Sequence, residues 1–189
     1  MSAGIGHNSG QAGDGGLSWR KYAWTKARRD LMPTLPIEVV RMRVLRAQEL
    51  GLPYKTYAGI RASTGHDLIG FMFSSNALRI LRETDPLPDE RAARLAALTA
   101  QRIALAQVPL RAATLAKLSC IDAVYPAPGF ALSWAAGRDR LKRVARACGH
   151  PADRYVIVGD TAIERDWVAM AGAAGWIDGD TYFAAPADL

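Results

Sequence analysis

The sequence predicts an α/β fold with a short, mostly parallel sheet, helices on its faces and a basic helical segment at its N-terminal end. Two apolar runs support this: residues 155–158, Tyr-Val-Ile-Val, and residues 68–73, Leu-Ile-Gly-Phe-Met-Phe. Each run ends in small polar residues and is followed by a helical pattern, as a buried parallel strand that leads into a helix would be. With a third short run at 120–125, we expect about three strands.

Composition restricts the class of protein. A chain of 189 residues that is half apolar and 22% charged can bury a core within one main domain. It has no apolar run of about 20 residues and no secretory signal, so we expect no membrane partner. Cys120 and Cys148 lie far apart and outside any metal-binding pair, which predicts reduced thiols and a cytoplasmic location.

Charge is unevenly distributed along the chain. Residues 1–60 hold nine Lys or Arg against four Asp or Glu, whereas residues 121–189 hold seven against nine. A basic front half indicates an anionic partner, nucleic acid first among them.

The chain divides by composition into three parts. Residues 1–17 contain six glycines and little apolar mass, which predicts a flexible tail. Residues 18–66 form the basic helical segment and residues 67–189 the α/β domain. Within the tail, residues 5–10, Ile-Gly-His-Asn-Ser-Gly, resemble a leader found on assorted phage- and plasmid-associated bacterial proteins, which suggests a mobile-element origin.

A helix predicted over residues 18–31 interleaves aromatic and basic side chains. Stacking rings and cations are what nucleic acid requires, so this helix supplies one set of candidate contacts. They are Trp19, Arg20, Lys26, Arg28 and Arg29. The alternative is an amphipathic helix whose aromatic rings are buried.

Residues 47–60 resemble a helix-turn-helix. A helix over 36–51 carries Ala47 before the turn glycine, Gly51, and a second helix starts after Pro53. The motif would present four side chains to the major groove: Tyr54, Lys55, Thr56 and Arg61. Tyr57 and Gly59 depart from its usual pattern, and an ordinary packed helix pair is the alternative.

Further helices are expected at 77–83, 89–107, 110–118 and 137–148. The second and third would form a structural hairpin, with Arg91, Arg94 and Arg102 on its solvated face. The acidic residues 178–180 would begin a last helical turn.

Polar side chains follow the two strongest strands, where ligands of open α/β sheets bind. Ser74, Ser75 and Asn76 end one strand, while Asp160 and Thr161 end the other. Free amides of the following helices could hold an anion at these points. The alternative is that Ser75 or Asn76 only caps a helix.

Residues 138–176 resemble the haloacid dehalogenase-like phosphohydrolases. In that family a helix with a lysine, a Gly-x-Pro turn, a strand, Gly-Asp-x-x-x-Asp and an Ala-Gly helix follow one another. Lys142, residues 149–151, the strand at 155–158, Gly159-Asp160 with Glu164, and residues 171–175 stand here in that order. Residues 71–76 resemble the family's second motif, a strand that ends in a hydroxyl residue.

The resemblance implies a Rossmann-like sheet and a set of roles. Ser74 or Ser75 would bind a phosphoryl group, Lys142 would offset its charge, and Asp160 with Glu164 would hold Mg²⁺. The family's nucleophile belongs to an Asp-x-Asp pattern on an earlier strand, and nothing before Phe71 resembles it. Phosphoaspartate chemistry is therefore not expected.

Three hypotheses of function follow. The first is a noncanonical haloacid dehalogenase-like protein that binds a phosphorylated small molecule or nucleic acid and is not a competent phosphatase; as an enzyme it would be a Mg²⁺-dependent phosphohydrolase. The alternative is a DNA-binding accessory or regulatory protein that uses residues 47–61. The third is a structural module whose polar strand ends are helix caps.

Overall fold

The sheet has five parallel strands within residues 35–184, the part of the chain described by the structure, a computed structural model. The strands are β1 (Gly70–Ser74), β2 (Gln101–Ala106), β3 (Ala123–Pro126), β4 (Tyr155–Gly159) and β5 (Gly175–Asp178). Their order across the sheet is β3-β2-β1-β4-β5. The predicted α/β class with a parallel, Rossmann-like sheet is confirmed.

Seven α-helices precede, connect or follow these strands in the described residues. They are α1 (Ile37–Glu49), α2 (Tyr54–Thr64), α3 (Asp89–Ala96), α4 (Ala112–Leu115), α5 (Trp134–Ala147), α6 (Ala162–Ala171) and α7 (Gly179–Ala184). None of the described helices is long and apolar enough to cross a membrane.

The two central strands are buried on both faces, which explains their unbroken apolar sequences. Side chains alternate between two cores. Phe71, Phe73, Val156 and Val158 belong to the core that also holds residues of α1, α2, α3 and α7. Met72, Tyr155 and Ile157 belong to the opposite core, which is closed by residues of α5 and α6.

The prediction of one long helix over residues 89–107 is wrong. Helix α3 ends at Ala96, and Gln101–Ala106 instead forms β2, beside β1. Residues 103–106 are buried between β1 and β3, so tertiary pairing overrides the helix propensity of alanine and leucine. The predicted Arg face is also wrong: Arg91 is buried and Arg102 lies on β2.

The helix predicted over 77–83 is a turn. Arg79 N–H donates to the Asn76 carbonyl, and Ser74 Oγ accepts from Ala77 N–H. Arg79 itself has φ of 58°, a left-handed conformation that cannot continue a helix. The expected count of three strands is also too low, because both β2 and the edge strand β5 were missed.

Other boundaries agree with expectation to within a few residues. The predicted strands at 68–73, 120–125 and 155–158 correspond to β1, β3 and β4, and the helix expected at 137–148 is α5. Free thiols occur at Cys120 and Cys148.

The chain forms two compact units, Met1–Val40 and Arg41–Leu189. The second contains the whole sheet together with the helical residues 41–66, whose Ala47, Leu50 and Tyr57 side chains lie in its core. The unit that holds the sheet therefore includes residues 41–66. The tail at 1–17 and the helix at 18–31 lie outside the described residues.

Candidate functional site

The two polar corners meet at one edge of the sheet. Strand β1 pairs with β4, with Phe73 opposite Val158, so both strands end at the same level. The chain order reverses between these two strands, because β2 and β3 lie on one side and β5 on the other. This is the switch point at which open α/β sheets bind ligands.

Glu164 joins the corners. Its side chain is fully buried at the first turn of α6, and its two oxygens accept four N–H groups. Oε2 accepts from the main-chain N–H groups of Asp160 (2.6 Å) and Thr161 (2.9 Å). Oε1 accepts from the side-chain amides of Asn76 (3.0 Å) and Gln107. Thr161 Oγ1 completes a capping box by accepting from Glu164 N–H.

The two serine hydroxyls hold the backbone of this edge in place. Both side chains are buried, Ser74 Oγ accepts from Ala77 N–H at 3.0 Å, and Ser75 Oγ accepts from Gln107 N–H at 3.2 Å. Their positions stabilise the turn after β1 and its junction with the end of β2. A ligand could reach them only if the chain around them moved.

Asp160 lies on the opposite side of the corner, in an arginine cluster. Its Oδ2 is 2.8 Å from Arg79 Nη1, yet neither carboxylate oxygen accepts a hydrogen bond of good geometry. Burial raises the pKa of Asp160, against the effect of Arg79, which lowers it. Arg79 also pairs with Asp180 at 2.5 Å, as does the buried Arg91 at 2.7 Å. Hydrogen bonds from these two arginines lower the pKa of Asp180.

An open crevice of about 180 Å³ lies between the strand ends. Its polar lining comes from Asn76, Gln107 and Thr161, and its apolar lining includes Phe130 and Ile163. Thr161 and Ile163, at the start of α6, belong to this lining, and the first amides of a helix have no acceptor among its own carbonyls. Uncharged donors and helix amides are suited to an anionic group of small size.

The fit of Mg²⁺ to the expected pair is poor. Glu164 already accepts four N–H groups, and Asp160 faces an arginine. No group of three or more His, Cys, Asp or Glu side chains in residues 35–184 is arranged to hold a metal ion.

Lys142 lies elsewhere. It is exposed on α5 and lines a depression with Arg140, Arg143 and Arg146, none of which lines the crevice. Of the residues that the resemblance groups as one site, Ser74, Ser75, Asp160 and Glu164 gather at the sheet edge without Lys142.

The helix-turn-helix segment forms as two helices around Gly51, whose φ is 60°. Lys55 and Thr56 are exposed on α2, whereas Tyr54 is half-buried against the core. Arg61 is directed to Asp67, 3.5 Å away. Tyr57, the departure from the motif, is buried and donates to Asp67 at 2.7 Å. Trp19, Arg20, Lys26, Arg28 and Arg29 lie outside the described residues.

Sequence reasoning missed Gln107 and Arg79 because it placed both in helices. Gln107 directly follows the short apolar run 103–106 and stands two residues before Pro109. That pattern of a short apolar run closed by proline could have indicated a strand end. No comparable local signal marks Arg79.

The fold and the site define an α/β protein with a Rossmann-like sheet and, at its switch point, a crevice with both polar and apolar lining. Comparison with protein families, curated proteins and solved structures finds no significant match to this chain. The likeness to haloacid dehalogenase-like proteins therefore stays a prediction from the sequence.

Proposed function

We propose that this protein binds a small phosphorylated ligand in the crevice and does not turn it over. The observation that carries the proposal is the meeting of two polar strand ends, 74–76 and 159–161, at the switch point of the sheet. Asn76, Gln107 and Thr161 would contact the phosphoryl oxygens, with the first amides of α6. Phe130 and Ile163 would pack against the rest of the ligand.

Absence of turnover follows from the groups at hand. No carboxylate of residues 35–184 lines the crevice, and both serine hydroxyls are buried and already hydrogen-bonded. Phosphoryl transfer needs an exposed nucleophile and charge stabilisation, which this lining does not supply. We leave Mg²⁺ out of the proposal and expect binding to be unchanged by EDTA.

The test is calorimetric titration with inorganic phosphate and with nucleoside monophosphates, repeated on Gly129→Trp. Gly129 lines the crevice, and a Cβ added there meets nothing within 4 Å, so the substituted side chain starts in open space. We expect binding to the natural chain and at least a tenfold loss in the variant, at unchanged thermal stability. Equal binding by both would contradict the proposal.

Release of phosphate from p-nitrophenyl phosphate tests whether the protein turns over a phosphorylated ligand. We expect no release. Turnover that requires Mg²⁺ and disappears in Asp160→Asn would instead assign the protein to active phosphohydrolases.

A second candidate function is DNA binding through α1, the Gly51 turn and α2. The observation that favours it is the left-handed turn between the two helices, with Lys55 and Thr56 exposed at the start of α2. It requires duplex binding that weakens steeply with salt and is reduced by Lys55→Ala. Duplex binding that is independent of salt or of Lys55 would remove this candidate. A cytoplasmic location suits either function.

A further inference from the structure

Helix α5 has a basic outer face that neither proposed function uses. Its inner face, with Leu141 and Val144, is buried in the core. The outer face lines a shallow depression of about 480 Å³, to which Arg140, Lys142, Arg143 and Arg146 contribute. Four cations within two helical turns make this a concentrated positive surface.

Among the residues that the structure describes, three of these cations have no counter-ion. Within residues 35–184, no carboxylate lies within ion-pair distance of Lys142, Arg143 or Arg146. Asp139 is the one acidic residue of the lining, and it pairs with Arg138 at 3.5 Å. Six arginines elsewhere each pair with an Asp or Glu: Arg46, Arg61, Arg79, Arg91, Arg102 and Arg111. Exposed cations also occur singly on other segments, but here the unpaired cations line one depression together.

Two exposed aromatic rings lie on the segment that leads into the basic helix. Phe130 is 85% exposed in the loop before α5, and Trp134 is 51% exposed at the first position of the helix. Leu132, between them in the sequence, lines the basic depression. Large rings exposed to water on the same segment as unpaired cations provide what a strand of nucleic acid needs, since its bases stack on rings while its phosphates pair with cations.

We propose that α5 and the loop at 127–133 bind single-stranded nucleic acid. Lys142, Arg143 and Arg146 contact successive phosphates, and unstacked bases stack on Phe130 and Trp134. A duplex fits less well because its bases are already stacked and paired, which leaves no π-face for either ring. This proposal does not depend on ligand binding in the crevice, although Phe130 borders both surfaces.

The test is fluorescence anisotropy of a labelled oligothymidylate with the full chain, over a range of salt concentrations. In the triple variant Lys142→Ala, Arg143→Ala, Arg146→Ala we expect at least a tenfold loss at low salt. The plot of log K against log salt should also become shallower by about 2, since each lost phosphate contact on a single strand contributes about 0.7.

Loss of the two aromatic side chains is expected to change binding in a different way from loss of the three cations. Phe130→Ala with Trp134→Ala is expected to weaken binding by about tenfold or more while the salt slope stays as in the natural chain. If the double variant showed a shallower salt dependence, or the same affinity as the natural chain, the stacking role of the two rings would be overturned.

The matched control is Arg82→Ala, Arg111→Ala, Lys117→Ala, which removes the same charge from three exposed positions elsewhere. It should bind as the natural chain does. Circular dichroism verifies that each variant is folded. The proposal is overturned if the control loses as much affinity for the oligonucleotide as the α5 variants do, or if a duplex of equal length binds as tightly. It is also overturned if the α5 variants lose binding to phosphatidylserine vesicles but keep binding to the oligonucleotide.

Discussion

At the scale of single residues, Glu164 is the side chain on which the switch-point edge depends. Its carboxylate is buried, and four N–H groups from three segments of the chain converge on it. Glu164→Gln replaces one oxygen by an amide that directs its own N–H groups at these donors. We expect a loss of about 3 kcal/mol in the free energy of unfolding, because buried donors are left without an acceptor.

Urea unfolding measures that loss, with Glu90→Gln as the control. Glu90 is exposed in the first turn of α3, so its neutralisation should cost about 0.5 kcal/mol. Equal effects of the two substitutions would show that the four hydrogen bonds do not stabilise the fold.

Unlike the Glu164 carboxylate, the Asp160 carboxylate is expected to lower the stability of the fold at neutral pH. Burial raises the pKa of its carboxyl, so the folded state binds this proton more tightly than the unfolded chain. The stability that Asp160 contributes is therefore greatest below the usual aspartate pKa and is lost as the pH rises through the raised pKa.

Asp160→Asn should accordingly leave stability unchanged in acid and raise it at neutral pH. The gain is at most about 1 kcal/mol, because the Arg79 pair is lost at the same time. Urea unfolding at both pH values checks this, with the exposed Asp166→Asn as control. A neutral-pH loss larger than that of the control would mean that the ion pair outweighs the burial.

At the scale of elements, two glycines have opposite roles. A Cβ at Gly70 in β1 would lie 2.3 Å from the Gln101 carbonyl oxygen of β2, and this backbone cannot withdraw without breaking the strand pair. A Cβ at Gly59 in α2 meets nothing within 4 Å. We expect Gly70→Ala to destabilise by about 3 kcal/mol and Gly59→Ala to stabilise by about 0.5–1 kcal/mol.

Thermal and urea unfolding of the pair of variants provide the measurement, and each serves as the control for the other. If both substitutions changed the free energy of unfolding in the same direction, the close contact between β1 and β2 would be contradicted.

The elements that could be predicted are those whose sequence pattern matches a single local rule. Buried parallel strands read as short apolar runs, so β1 and β4 were evident, and the 3.6-residue period identified α5. Strand β2 was missed because Ala104, Leu105 and Ala106 favour helix locally, and its strand form depends on pairing with β1 and β3. Likewise, Asn76 and Gln107 donate to Glu164 from distant parts of the chain, and no spacing rule relates them to it, whereas Thr161 and Glu164 have the spacing of a capping box.

At the scale of the whole molecule, the helices before β1 belong to the folded unit. Ala47, Leu50 and Tyr57 are buried in the core of the sheet. Arg46 Nη2 also donates to the Leu68 carbonyl at 2.9 Å, which connects α1 to the start of β1. Removal of this segment would expose to water the part of this sheet face that α1 and α2 cover.

We therefore expect a chain of residues 67–189 to lose cooperative unfolding, whereas the full chain keeps it. Calorimetry and near-ultraviolet circular dichroism distinguish the two. The point variant Leu50→Ala provides a graded version of the same test, with a cost of about 2–5 kcal/mol for a fully buried leucine. A sharp transition in the shortened chain would show that the sheet folds without α1 and α2.

Both outer strands of the sheet are short. Strand β3 covers four residues and ends at Pro126, which has no N–H to donate, and β5 also covers four and leads directly into α7. Such short edge strands expose few main-chain N–H and C=O groups with which a strand of a neighbouring chain could pair. Fibril growth by strand addition is accordingly suppressed, and any self-association of this unit has to use side chains on its helical surfaces.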